Sequence, residues 1–143
     1  MFRAVHIGTD VYWDGLFSEN PPIKGFIARQ KTSDLKPDEI WVVQINPETL
    51  RNEPKSVREI GDRRNELAGN LSLNQEISFV QQTNDWKRRG WLSAAHFKHI
   101  ELRWIPLTLE LDHASKLDRS PSFIRMLMQR GETAATSFLA HLP

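Results

Sequence analysis

The run Ile40-Trp41-Val42-Val43-Gln44-Ile45 decides the fold class. Nearly all of it is apolar, and β-branched and aromatic side chains predominate, which suits a strand better than a helix. A strand with one wet face alternates apolar and polar residues. A continuous apolar run instead fits a strand covered on both faces, as in the parallel sheet of an α/β protein. Asn46-Pro47, a turn signal, ends it.

Downstream, residues 48–55 are polar and contain Pro54. Ser56 followed by Glu59 has the spacing of a capping box and predicts a helix start. The helix should run to about Asp85. Its apolar stripe changes phase, from Val57, Ile60, Leu67 and Leu71 to Leu73, Ile77 and Val80. At 100° per residue the second set lies roughly opposite the first, which predicts one long helix packed on two neighbours, or else a break near Gly69-Asn70. Ile100, Leu102 and Trp104 alternate with His99, Glu101 and Arg103, predicting a strand with one wet face. Ser120 with Pro121 opens a last helix, and its predicted packing face is Ile124, Leu127, Gly131, Ala135, Phe138 and Leu142.

Upstream, residues 2–7 and 11–15 read as strands joined by a turn at Gly8-Thr9-Asp10. Residues 16–39 are loop-like, with room for a helical turn or two at Ile23-Lys24-Gly25-Phe26-Ile27. In Tyr12-Trp13-Asp14-Gly15 a run of strand formers ends at a carboxylate, and Gly15 lets the chain turn sharply behind it. Asp14 would then stand at the rim of a sheet, where an acid or base is useful.

The 143 residues suit one domain with a real core. A net charge of +1 gives no overall field to attract nucleic acid or anionic lipid. The absence of cysteine removes disulfides, thiolate metal sites and cysteine nucleophiles. No apolar run approaches the roughly 20 residues of a membrane span. The first residues already alternate like a strand and show no leader; the compartment stays open, with the cytoplasm favoured. Because Asp14 comes so soon, with no supporting structure before it, the chain reads as cut from a longer one.

None of the seven glycines brackets a serine as Gly-x-Ser-x-Gly, so a serine nucleophile on an elbow is not to be found here. His96-x-x-His99 has no acidic partner at ligand spacing, and no metal site is expected. Glu110-Leu111-Asp112 reads as surface acid. Trp86-Lys87-Arg88-Arg89-Gly90-Trp91 interleaves bases with aromatics, a pattern that can stack single-stranded nucleic acid. It also reads as a helix C-terminus with Gly90 as its cap. The second reading is favoured, and no nucleic-acid partner is expected.

Taken in order, Phe2-Arg3-Ala4-Val5, Tyr12-Trp13-Asp14-Gly15, Ser18-x-Asn20-Pro21, Ile40 to Pro47, Arg64-Asn65-Glu66-Leu67, Ser72-Leu73, Ser115-Lys116-Leu117, Phe123-Ile124 and Arg130-Gly131 resemble the patatin-like phospholipases. The resemblance implies the C-terminal part of a three-layer α/β/α sandwich over residues 1–143. It implies a lipid acyl hydrolase working through a Ser-Asp dyad without a cofactor, on a phospholipid or other acyl ester, with peripheral membrane contact and no transmembrane segment. Asp14 would be the dyad carboxylate, Gly15 would shape its turn, and Asn20 and Pro21 would anchor the segment after it. Leu16 stands where the family has a small residue. The serine and the oxyanion loop have no counterpart here, so the chain alone is expected to be inactive. The alternative is a non-catalytic interaction module or a remnant reading frame.

Overall fold

The computed structural model describes residues 3–13, 15, 20–107, 109, 111, 115 and 117–142. Its elements are β1 (Val5–Ile7), β2 (Asp10–Tyr12), α1 (Ile23–Arg29), β3 (Glu39–Gln44), α2 (Val57–Arg88), β4 (Glu101–Pro106) and α3 (Pro121–Ala140). The protein is therefore mixed α/β. Its contacts divide it into two compact units, residues 1–38 with 68–100 and residues 39–67 with 101–143.

In the first unit, β1 and β2 form an antiparallel hairpin in which Val5 faces Tyr12 and Ile7 faces Asp10. The loop is thus only Gly8-Thr9, and Asp10 belongs to the strand. Gly8 has φ +63° while Thr9 stays out of the left-handed region, the signature of a type II′ turn. Helix α1 fills the room foreseen at 23–27 and extends to Arg29. Its Ile23 and Ile27 join Ile77, Val80 and Ile100 as the buried apolar residues of this unit.

The second unit holds a parallel pair, β3 with β4, in register from Glu39 opposite Glu101 to Gln44 opposite Pro106. The apolar run thus lies in a parallel ladder, joined through α2 as parallel strands require a long crossover. The cover expected on both of its faces is not there: Val42 is buried, whereas Trp41, Val43 and Ile45 on the opposite face are exposed, because among the described residues β3 and β4 form a sheet of only two strands. On one face Arg103 forks onto Glu39, its Nε and Nη2 each 3.0 Å from a carboxylate oxygen, and the Trp41 indole N–H adds a third bond at 2.7 Å. The Arg103 guanidinium, and then the Trp41 donor, hold the Glu39 carboxyl below the usual glutamate range. A depressed folded value means that this stability is present above the unfolded pKa and is lost as pH falls through the folded one. Glu39→Gln is accordingly expected to flatten the acid limb of stability below about pH 5, read as urea midpoints across that range.

Helix α3 starts as the sequence predicts, with Ser120 accepting from the Phe123 N–H at 3.3 Å and Pro121 in the first turn. Its less exposed side is Phe123, Met126, Leu127, Ala134 and Phe138, with Leu142 just past its end. Leu127, Phe138 and Leu142 lie where predicted, whereas Ile124, Gly131 and Ala135 are exposed and the face is turned toward Phe123, Met126 and Ala134. Phe123 and Met126 offer far more apolar area than Gly131 and Ala135, so they set the rotation. Phe138 meets Trp41 edge-on, with ring centroids 4.9 Å apart.

Helix α2 is unbroken through Gly61 and Gly69. Its capping box forms in both directions: Ser56 Oγ accepts from the Glu59 N–H at 3.2 Å, and Glu59 accepts from the Ser56 N–H at 2.9 Å. The helix belongs to the second unit through Leu67 and to the first from Ala68 onward. That division explains the phase change, but only half of the expected cover is present. Ile77 and Val80 are buried, whereas Val57, Ile60, Leu67 and Leu71 are exposed. In its first half the helix is held by polar side chains instead. Arg63 donates to the carbonyls of Pro47 (2.8 Å) and Glu48 (2.5 Å) and to the buried carboxylate of Glu66 (3.1 Å).

The helix ends in a Schellman motif. Gly90, at φ +76°, sends its N–H to the Lys87 carbonyl (3.1 Å), and the Trp91 N–H reaches that of Trp86 (3.0 Å). Asp85 pairs with Arg88 and Arg89, and the Arg89 guanidinium lies 5.2 Å from the centre of the Trp91 ring. The basic cluster is thus engaged in finishing the helix. A Cβ at Gly90 would meet no neighbour within 4 Å, so Gly90→Ala should cost only the left-handed backbone penalty, about 1 kcal/mol.

Candidate functional site

The candidate site is the stretch from Asp14 to Pro21. Asp14 itself, like Leu16, Ser18 and Glu19, lies outside the described residues. Gly15 is described and exposed, and its conformation is open to any residue. Asn20 and Pro21 are joined by a cis peptide bond.

What the structure adds is the way this stretch is tied down. The Asn20 N–H donates to Ser72 Oγ at 3.0 Å, and the Pro21 carbonyl accepts from the Ile23 N–H at 3.0 Å. One turn further along α2, Glu76 accepts from the Lys24 N–H, a donor that the first turn of α1 cannot satisfy internally. Ser72 and Glu76 are four residues apart and so share one face of α2. They hold the chain at Asn20 and again at Lys24. The sequence marks Ser72 only as a piece of the resemblance and gives Glu76 no role. Their one legible sign is the four-residue spacing, and the partners 52 residues away are visible only in three dimensions.

The other singled-out residues are accounted for separately. His96 Nδ1 is 2.9 Å from the Lys31 carbonyl, which only accepts, so this nitrogen carries the proton. His96 and His99 join no group of three or more metal-ligating side chains among the described residues. Glu110 and Asp112 lie outside the described residues. Every resolved carboxylate shift runs downward and has a local cause. Arg103 lowers Glu39, the Ser56 N–H lowers Glu59, Arg88 lowers Asp85 and the Thr32 side chain lowers Asp34. Among the described residues, no helix is long and apolar enough to cross a membrane. Comparison with family models, curated proteins and solved structures gives no match.

Proposed function

We propose that this chain is the C-terminal portion of a patatin-like lipid acyl hydrolase, a three-layer α/β/α sandwich completed by sequence that carries the serine. The observation that carries the reading is the Asn20–Ser72 hydrogen bond. Asn20-Pro21 and Ser72-Leu73 are separate pieces of the resemblance, 52 residues apart, and they meet. The parallel β3–β4 pair joined through α2 is consistent with the same reading.

In this reaction the serine Oγ attacks the ester carbonyl while Asp14 takes its proton, and the alcohol leaves with a proton in return. Water then hydrolyses the acyl-serine. Such a proton acceptor must lie within about 2.6–3.2 Å of the serine, so the chain that follows it must be held firmly. The bonds from Ser72 and Glu76 supply such hold at Asn20 and Lys24. The substrate is a phospholipid or another acyl ester, met by peripheral membrane contact.

The test is turnover of p-nitrophenyl butyrate. The 143-residue chain alone should show none. Joined to a polypeptide that supplies a Gly-x-Ser-x-Gly elbow and a glycine-rich loop, it should gain activity, and Asp14→Asn should then remove about a thousandfold of it. Turnover by the isolated chain that is lost in Asp14→Asn would contradict the inactivity of the fragment. Equal turnover by the joined protein with and without the substitution would remove Asp14 from the mechanism.

A second reading, a non-catalytic interaction module, is favoured by the hairpin. All six strand residues of β1 and β2 are exposed, Val5, Ile7, Val11 and Tyr12 included, and a two-stranded hairpin is marginal by itself. Activity in the joined protein decides against it.

A further inference from the structure

The first unit contains a cleft of about 460 Å³ lined by residues of α1, α2 and the segments 30–36 and 92–97. This is within the usual size range of small-molecule sites. Its walls are largely apolar and include the rings of Phe79, Trp86 and Phe97. Among the described residues its charged and titratable lining is Lys31, Lys36 and His96, with no carboxylate.

Lys36 is the unusual member. Only 6% of it is exposed, and lysines are almost never buried unless paired. Its ammonium donates to the carbonyls of Ile27 (2.8 Å) and Gln30 (2.5 Å), which lie at the C-terminal end of α1. It also sits 5.7 Å from the centre of the Phe97 ring. All these partners are neutral. The helix end and the ring offer partial negative charge, but no carboxylate among the described residues bonds to the ammonium. An ammonium has three donors, and two are used. A buried charge held only by neutral groups remains incompletely compensated, and an anion is what would complete it.

The geometry points to a binding site for a small carboxylate with an alkyl or aromatic body. The head would bond to the third donor of Lys36, and the body would lie against Phe79 and Trp86. An inorganic anion would leave the apolar walls wet, and a neutral amphiphile would leave the ammonium as it is. The inference is independent of Asp14 and of the hydrolase reading, because it concerns binding and no bond is broken.

Octanoate and octanol titrated into the full 143-residue chain by calorimetry test it. Octanoate should bind with a Kd below about 1 mM, and octanol and inorganic phosphate should each bind at least about tenfold more weakly. Lys36→Met should weaken octanoate by at least about tenfold, the measure of one charge-assisted hydrogen bond. Octanoate should also change the tryptophan fluorescence, and Trp86→Phe should abolish that change. If Lys36→Met fails to fold, the octanoate–octanol comparison still decides with the unsubstituted chain. Equal binding of octanoate and octanol, phosphate binding as tight as octanoate, no octanoate binding, or a fluorescence change that persists in Trp86→Phe would each overturn the proposal.

Discussion

Asn84→Asp is expected to destabilise the protein by about 3 kcal/mol, a large effect for the exchange of one amide for a carboxylate. Asn84, on α2, uses its side-chain amide as a peptide group would. Nδ2 donates to the Ile100 carbonyl at 2.8 Å, and Oδ1 accepts from the Ile100 N–H at 2.9 Å. Ile100 is 3% exposed and immediately precedes β4, so water cannot readily replace either bond. A carboxylate keeps the acceptor, loses the donor and sets a negative charge against a carbonyl oxygen. The sign of the pH dependence follows. That contact raises the folded-state pKa of the introduced carboxyl, so its protonated form, which can again donate to Ile100, is favoured on folding. The deficit should be full near neutrality and shrink as pH falls towards about 4. Asn84→Ala should cost about 2 kcal/mol with no such recovery. Urea unfolding of both variants at two pH values checks the pair, and a pH-independent deficit for Asn84→Asp would contradict the account.

Arg63→Ala should be of similar size, again about 3 kcal/mol. The guanidinium is three bonds in one: two backbone carbonyls after β3 and one buried carboxylate. Its side chain is 14% exposed and that of Glu66 is 5% exposed, so screening by water is limited. Truncation removes the Arg63 cation from beside the buried carboxylate and the two guanidinium bonds from the Pro47 and Glu48 carbonyls. Arg63→Lys separates these effects, because a single ammonium cannot reach the three acceptors of a planar fork. It should recover less than half of the loss. Full recovery by lysine would show that charge alone matters. A double change of Arg63→Ala with Glu66→Gln should be less destabilising than the sum of the two single changes.

Much of the architecture was legible because it rests on local signals. Ser56 and Glu59, Ser120 and Pro121, and Gly90 each set a helix end through bonds spanning only a few residues. The apolar run at 40–45 announced a parallel strand through its own composition, but not that Trp41, Val43 and Ile45 would stay exposed on one face. The rest depended on distant partners. The rotation of α3 turned on the greater bulk of Phe123 and Met126, which a list of apolar positions does not weigh. Exposure of the Val57–Leu71 stripe was hidden for a different reason. Periodicity tells which face is apolar, but not whether anything covers it. At the candidate site, Asn20 and Pro21 were named from the sequence as anchors, whereas Ser72 was named only as a piece of the resemblance and Glu76 not at all, and the bonds by which they tie that stretch down were not foreseen. Nothing in the sequence singles out Lys36, since burial of a cation by two carbonyls leaves no mark on residue spacing.

The parallel pairing of β3 with β4 also sets a timetable for the nascent chain. Glu39 and Arg103 are 64 residues apart, so β3 leaves the ribosome well before its partner has been made. At ordinary rates of synthesis the delay is roughly 3 to 13 s. Helix α2 needs only local bonds and can form within microseconds of emerging. Throughout that wait Ile40-Trp41-Val42-Val43 has no ladder to join, and such a run is prone to pair with other chains. Strand β3 is therefore the stretch on which a chaperone bound during synthesis would have the most effect.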